Sequence, residues 1–366
     1  MRARTLCLVG ILIVGCSQPQ PTVRVSPAGR ATTPAIAPPV ASPGLAYDLP
    51  ITGVDFSCRL PVVTINPNSS GPAQRAGFIT FPSRRFVDDP NGTMIARGSP
   101  HYDVATTVAP LLYGDGGGFY DGAVKRWVPT SPVSTLADGS AYAYVTADSA
   151  ANIVEVASGK VRSFDVRPLD RPTVLDFDAN GVYLYSPSAI GGPGEGVWLL
   201  NPSTGSLAQV RVVHRVWAVR DRKAWVAGLD PRDKTVWPPI EIQPADTLAQ
   251  VDLVTGAETE WFYRAGAYPW MIGVVSGHPL IAVPGGGGQN EIRVLDQPGS
   301  DGTLVYSGSL VFNGYFQNYQ GDGDRIWLGS ERGIYLYRPG RGFQKVFAYD
   351  ATPNSGSDMH PGGVCQ

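Results

Sequence analysis

The sequence predicts an all-β fold built from many short strands joined by tight turns. In the 366-residue chain, charged residues make up only 16%, aromatic residues reach 10%, and there are 44 glycines and 33 prolines. Aromatic and β-branched residues suit strands, whereas glycine and proline suit turns. Long amphipathic helices need more glutamate, lysine and leucine than this chain offers. The net charge of −2 gives no basic surplus, so we expect no nucleic acid partner.

The first 15 residues have the pattern of a bacterial export signal. Two arginines precede a short apolar run, 6–14, which is below the about 20 residues needed to span a membrane. The run ends in Ile13-Val14-Gly15-Cys16, which resembles the lipobox of bacterial lipoproteins. That resemblance implies cleavage before Cys16 and acylation of this residue, which would anchor the protein on the extracytoplasmic side of a membrane. The alternative is an ordinary secretory signal peptide in which the cysteine has no role.

Residues 16–47 are predicted to be a disordered linker. They are rich in Pro, Ala, Ser and Thr, carry few charges and show no apolar periodicity. Such a segment cannot bury enough surface to fold and behaves as a semi-extended tether. The folded body is therefore expected at 48–366.

The four cysteines divide into three groups. Cys7 leaves with the signal peptide and Cys16 is acylated, so Cys58 and Cys365 remain, one near each end of the folded body. A compartment outside the cytoplasm permits disulfides, so we predict that these two residues pair. Two free thiols are the alternative.

A repeated two-part pattern runs through the folded body. One part is an apolar strand that ends in a polar turn with glycine, as at 152–159, 197–205, 248–256, 291–299 and 333–340. A turn and a strand dense in aromatic and β-branched residues precede each copy. Corresponding points recur at roughly 40 to 55 residues, the range of four-stranded propeller blades. The repeats predict blades within 131–167, 171–212, 213–262, 268–309 and 312–348, and a divergent one within 58–130.

We therefore predict a β-propeller of six blades, or of seven if one blade has been missed. A propeller must bring its first and last blades together, and a Cys58–Cys365 disulfide would lock that junction. Trp198, Trp225 and Trp327 lie in predicted strands and should pack between blades.

The repeats are similar to those of TolB-like and YVTN-like extracytoplasmic propellers of bacterial lipoproteins. The similarity covers most of residues 58–348 and rests on the alternation of turns and strands. It implies a binding or scaffolding role at the cell envelope and supplies no site residues.

Four residues are candidates for binding. His101 lies on a predicted loop, and His214 begins a segment that enters a blade, a position that can face a central channel. Trp237 and Trp270 lie in predicted loops, where an aromatic side chain can anchor a sugar or a protein. For the two tryptophans, packing against a blade edge is the alternative.

The sequence predicts no catalytic residues and no metal site. It lacks a Gly-x-Ser-x-Gly elbow and a paired-histidine motif, and the glycines at 285–288 lack the residues that complete a phosphate-binding loop. The acidic segments 176–181 and 321–324 suit tight turns better than calcium. We expect His278 and His360 at the surface.

These features predict a lipid-anchored binding or protein-interaction module with a protein or glycan partner at the envelope and no cofactor. The alternative is a propeller enzyme, a metal-assisted lyase or hydrolase, in which His101 or His214 would help to hold the metal.

Overall fold

The structure is a computed structural model. It describes residues 49–65, 75–97, 118–146, 148–187, 194–213, 215–228, 246–285, 289–308, 320–330, 332–349 and 358–366. The described residues all belong to one compact unit, 43–366. The signal peptide, Cys16 and the whole linker, 16–47, lie outside the described residues and stay predictions.

Strands dominate the described residues. They are β1 (Cys58–Ile65), β2 (Arg75–Phe81), β3 (Arg85–Asp88), β4 (Phe119–Asp121), β5 (Arg126–Val128), β6 (Ala141–Val145), β7 (Ala150–Glu155), β8 (Val161–Asp165), β9 (Thr173–Asp178), β10 (Gly181–Ser186), β11 (Gly196–Leu200), β12 (Leu207–Arg211), β13 (Val216–Arg220), β14 (Lys223–Gly228), β15 (Thr247–Asp252), β16 (Glu258–Tyr263), β17 (Trp270–Val275), β18 (His278–Pro284), β19 (Asn290–Val294), β20 (Thr303–Gly308), β21 (Gln320–Asp322), β22 (Arg325–Ser330), β23 (Gly333–Arg338), β24 (Gly342–Ala348) and β25 (Asp358–Pro361). Helix α1 (Pro90–Arg97) and a 3-10 turn (Pro132–Ser134) interrupt them. Within the described part of the chain, no helix has the length and apolar character needed to cross a membrane.

Consecutive strands pair in antiparallel order. Strands β9–β12, β13–β16 and β17–β20 each form a four-stranded sheet, β6–β8 form a three-stranded sheet, and β4 pairs with β5. These three four-stranded sheets and the β6–β8 sheet correspond to four of the predicted blades, 131–167, 171–212, 213–262 and 268–309, with β16 ending one residue beyond the third of them. The fifth predicted blade, 312–348, contains β21–β24.

The prediction of one divergent blade at 58–130 is wrong. Strands β1–β3 and β25 form one part of an eight-stranded sheet whose other part is β21–β24; β25 pairs with β1 from Val62↔Pro361 to Ile65↔Asp358, while β4 and β5 form a separate hairpin. A single bridge, Ser330↔Met359, joins β25 to the last sheet as well. Sequence periodicity could not show this, because the missing strand comes from the other end of the chain.

Apolar clusters lie between successive sheets. Leu175 of β9 and Val219 of β13 share one cluster, and Trp225 of β14 and Met271 of β17 share the next. Trp327 of β22 is fully buried in a cluster with strands β1, β2 and β25. The sheets thus stack in chain order and the last packs on the first, which is the arrangement of a β-propeller.

Two of the predicted tryptophan positions are confirmed directly, since Trp225 and Trp327 pack between sheets; Trp198 packs against the cluster between β6–β8 and β9–β12. The number of blades stays a prediction, because residues 98–117, which precede the hairpin β4–β5, lie outside the described residues.

The recurring turn with glycine has a local physical cause. Gly205 and Gly256 take φ values of 73° and 78°, where a side chain would be strained. Each donates its N–H to the carbonyl of the residue four before it, Asn201 or Asp252, at 2.8 Å. The Asp252 carboxylate also accepts the N–H groups of the two residues before the glycine. Asp or Asn followed by Gly at this spacing therefore marks the third-to-fourth strand turn.

The junction between the chain ends has three components. Strand β25 pairs with β1, and Cys58 and Cys365 form a disulfide with their Cα atoms 5.6 Å apart, a normal separation. Beside the disulfide, the amide of Arg59 donates to the carbonyl of Gln366 at 2.9 Å, and the amide of Gln366 donates to the carbonyl of Arg59 at 3.2 Å. We call residues 358–366 and β1 together the closure seam.

The segment before β1 is fixed on the last sheet. The amide of Thr52 donates to the carbonyl of Lys345 in β24 at 2.8 Å. Asp55 lies 2.7 Å from the guanidinium of Arg338, and the Phe56 ring lies under the guanidinium of Arg325 at 4.5 Å. Both ends of the body are therefore bound to the sheet that closes the ring.

Gly329 is the residue that lets β22 approach β25. A Cβ at this position would lie 2.1 Å from the carbonyl oxygen of Met359, whereas at Gly53 the nearest atom would be 3.7 Å away. We expect Gly329→Ala to lower the free energy of unfolding by about 1–3 kcal/mol in urea denaturation, because the seam must move apart. Gly53→Ala is the control and should unfold like the unchanged protein; equal stabilities of the two variants would contradict this account.

Candidate functional site

The strand order gives the propeller two different ends. Antiparallel strands reverse direction, so connections alternate between one end of each sheet and the other. The hairpin face carries the connections from first to second strand and from third to fourth. The loop face carries those from second to third strand and those between sheets.

At the hairpin face, the connections from first to second strand are short, while those from third to fourth strand are longer, as at 201–206 and 295–302. Two residues join β9 to β10, β13 to β14, β17 to β18 and β21 to β22, at 179–180, 221–222, 276–277 and 323–324. At the loop face, β14 ends at Gly228 and β15 begins at Thr247, and β10 ends at Ser186 and β11 begins at Gly196. Longer connections held on a rigid sheet are the usual place for binding residues.

Buried polar side chains fix the bases of these connections. Ser186, at the end of β10, is fully buried and its hydroxyl accepts the amide of Asp170 at 3.0 Å. Asp246, directly before β15, is fully buried and its carboxylate accepts the amide of Gly266 at 2.8 Å. Ser330, at the end of β22, accepts the amide of Arg332 at 2.9 Å. Each of these three hydrogen bonds holds the backbone beside the end of a strand. The connections at the loop face therefore start from fixed positions.

Sequence reasoning missed these three anchoring residues. Each is a single small or acidic residue beside a strand end, and such residues are common in turns of every kind. Only their burial, which depends on neighbouring sheets, separates them from ordinary turn residues.

Trp270 also lies at the loop face. It begins β17, so its assignment to a loop is wrong: the strand starts two residues after Tyr268, whose φ is 50°. Its ring is half-buried against the cluster between the third and fourth full sheets, β17–β20 and β21–β24, as the packing alternative had it. Its indole N–H is buried without a hydrogen-bond partner among the described residues.

The other binding candidates, His101, His214 and Trp237, lie outside the described residues and stay predictions.

His360 corrects one sequence prediction. It was expected at the surface, but it is 5% exposed in β25, opposite Val63 of β1. Burial lowers the pKa of its imidazole to about 4, because a charged ring would lose its hydration. His278, expected in a turn at the surface, begins β18 and is half-buried.

The acidic segment 176–181 serves a turn. The carboxylate of Asp178 accepts the amides of Asn180 at 2.7 Å and Gly181 at 3.3 Å. Among the residues that the structure describes, no three His, Cys, Asp or Glu side chains gather into a set that could hold a metal ion.

Comparison with known proteins gives only distant likenesses. No protein-family model and no curated protein matches the chain. Among solved structures, BamB from Moraxella catarrhalis is similar at 14% identity and a TM-score of 0.30, over 59% of this chain and 61% of that one. TolB from Acinetobacter baumannii is similar at 12% identity and a TM-score of 0.41, over 86% of this chain and 66% of that one.

A third similar structure is an oligogalacturonate lyase in complex with manganese, at 11% identity and a TM-score of 0.39, over 76% of this chain and 72% of that one. The chain spans less than two thirds of the BamB and TolB chains. These likenesses are too distant to assign a function or a site.

The buried imidazole of His360 makes the closure seam sensitive to acid. The unfolded chain takes up a proton near the ordinary pKa of 6.5, whereas the folded chain does so only near 4. Relative to His360→Gln, the unchanged protein should therefore lose stability as pH falls from about 6.5 to about 4, by at most about 1.4 kcal/mol per pH unit. Urea denaturation at several pH values measures this difference. His278→Gln is the control for removing an imidazole, and a difference that does not vary with pH would refute the prediction.

Proposed function

We propose that this chain is a lipid-anchored extracytoplasmic propeller that binds a protein or glycan of the cell envelope through its loop face. The observation that carries the proposal is the asymmetry of the two faces. At the hairpin face, two-residue turns join the first and second strands of four sheets. The longest connections within a four-stranded sheet, 187–195 and 229–246, lie at the loop face, where the first starts next to the buried anchor Ser186 and the second ends at the buried anchor Asp246.

The location rests on two features. The lipobox-like segment that ends at Cys16 supports export and acylation. The Cys58–Cys365 disulfide fits an oxidising compartment, because thiols are kept reduced in the cytosol.

The two ends of β17 allow a matched test of the binding face. Tyr268 precedes the strand at the loop face and Ser276 follows it at the hairpin face; both are exposed and have a φ of 50°. We expect a photo-crosslinking amino acid at position 268, in the full chain on cells, to form a discrete envelope adduct that position 276 does not form. Protease sensitivity of the adduct tells a protein from a glycan. Equal adducts from both positions, or an adduct from position 276 alone, would overturn the assignment of the face.

The two N-terminal cysteines provide a test of anchoring. We expect Cys16→Ala to abolish incorporation of labelled palmitate. The protein should also leave the membrane fraction, because no acyl chain remains to hold it there. Cys7→Ala is the control, since that residue would leave with the signal peptide, and it should stay in the membrane fraction. Retention of palmitate in Cys16→Ala would show that the anchor lies elsewhere.

The enzymatic alternative depends on His101 and His214, which lie outside the described residues. A metal-assisted lyase or hydrolase should hold a stoichiometric metal in the purified body, which elemental analysis would detect.

A further inference from the structure

Asp176 is a carboxylic acid buried between two sheets. It lies in β9, is 7% exposed, and faces the same side as its cross-strand partner Tyr183, which is 2% exposed. Tyr183 belongs to the apolar cluster that also contains Val219 of β13 and Ala224 of β14. The opposite side of β9, with Val174 and Phe177, packs on the β6–β8 sheet. The Asp176 carboxyl therefore lies in the interface between β9–β12 and β13–β16.

The charged groups near this carboxyl come from β9, from the end of β13 and from the β13–β14 turn. Strand β9 contributes Asp178, the end of β13 contributes Arg220, and the β13–β14 turn contributes Asp221. The same turn carries Arg222, whose positive charge lowers the pKa of Tyr183. Arg220, Asp221 and Arg222 are exposed, so the charges surround the outer rim of the interface while the carboxyl lies inside it.

Little in the interface stabilises an ionised Asp176. Among the described residues, no side chain donates a hydrogen bond to its carboxylate. The backbone amide of Phe177 is the one group there whose hydrogen bond lowers its pKa. Burial raises its pKa to about 7; Arg220 opposes this and Asp178 adds to it. Burial also raises the pKa of Tyr183 to about 12, so this phenol stays neutral and supplies no charge.

We propose that Asp176 makes the contact between the β9–β12 and β13–β16 sheets pH-dependent. As the neutral acid it packs in the interface beside Tyr183. When it ionises, its charge is drawn toward the exposed guanidinium of Arg220 and the contact between β9 and β13 opens more often.

The direction of the effect follows from the two proton affinities. The closed interface holds the proton up to about pH 7, whereas an open interface releases it nearer the ordinary value of 3.8. Opening should therefore increase as pH rises from about 4 to about 7, by up to about tenfold per pH unit, and level off above 7. An exposed carboxylate would give no such dependence.

Hydrogen exchange of the whole chain measures the opening. After correction for intrinsic exchange, amides of β9 and β13 should lose protection between pH 5 and pH 7 in the unchanged protein. In Asp176→Asn, which keeps the shape of the neutral acid, protection should not vary over this range. Persistence of the pH dependence in Asp176→Asn would overturn the proposal.

Carbon NMR of labelled aspartate carboxyls tests the same site if a variant is unstable. One carboxyl should titrate near pH 7 and be missing in Asp176→Asn. Its midpoint should rise in Arg220→Gln, which removes the attracting cation, and fall in Asp221→Asn, which removes a repelling anion and leaves a residue suited to the φ of 51°. A general loosening of the turn would move both midpoints in one direction, and that result, or the absence of an aspartate titrating above pH 6, would refute the proposal.

Discussion

The pairing of β25 with β1 is the interaction on which the rest of the structure depends. Each sheet of a propeller is covered by its neighbours, so an open ring would expose the apolar face of its first or last sheet. Here the first sheet takes one strand from the far end of the chain, and Met359 of that strand is buried with Trp327 of the last sheet. The disulfide, the reciprocal Arg59–Gln366 bonds and the docked segment at Thr52–Phe56 all reinforce this one junction.

In a closed ring of stacked sheets, the cores that stabilise the protein are separate from the loop face that we propose for binding. The cores between sheets hold the strands in place, and two-residue turns join the first and second strands of four sheets at the hairpin face. The loop face begins from the same strands but is held by buried Ser186, Asp246 and Ser330. Its connections can vary in length without disturbing the cores, which is how a common scaffold comes to serve different partners. Two buried ionisable groups, Asp176 and His360, favour opposite changes of stability with pH, so their two contributions partly cancel where both titrate.

Local patterns predicted much of this fold. The recurring polar turn with glycine located turns between strands, and at Gly205 and Gly256 one hydrogen bond and one positive φ explain why the glycine is there. The first blade could not be predicted, because β1 pairs with β25, which is far away in sequence. Such a pairing produces no repeat in the sequence. The same limit applies to the sites: Trp270 and His360 were misplaced because their burial is decided by neighbouring sheets, and Asp176 was taken for a turn residue although its carboxyl faces the adjoining sheet.

The dependence of β1 on residues 358–361 has a consequence for synthesis. A nascent chain makes β1–β3 first, yet this sheet has an unpaired edge at β1 until β25 is complete. Unpaired edges invite association with other chains. A prematurely terminated product, even one holding every other sheet, would therefore keep that edge and an unpaired Cys58 thiol. A chain that stops before residue 358 would lack the partner of β1 and the partner of Cys58 at the same time.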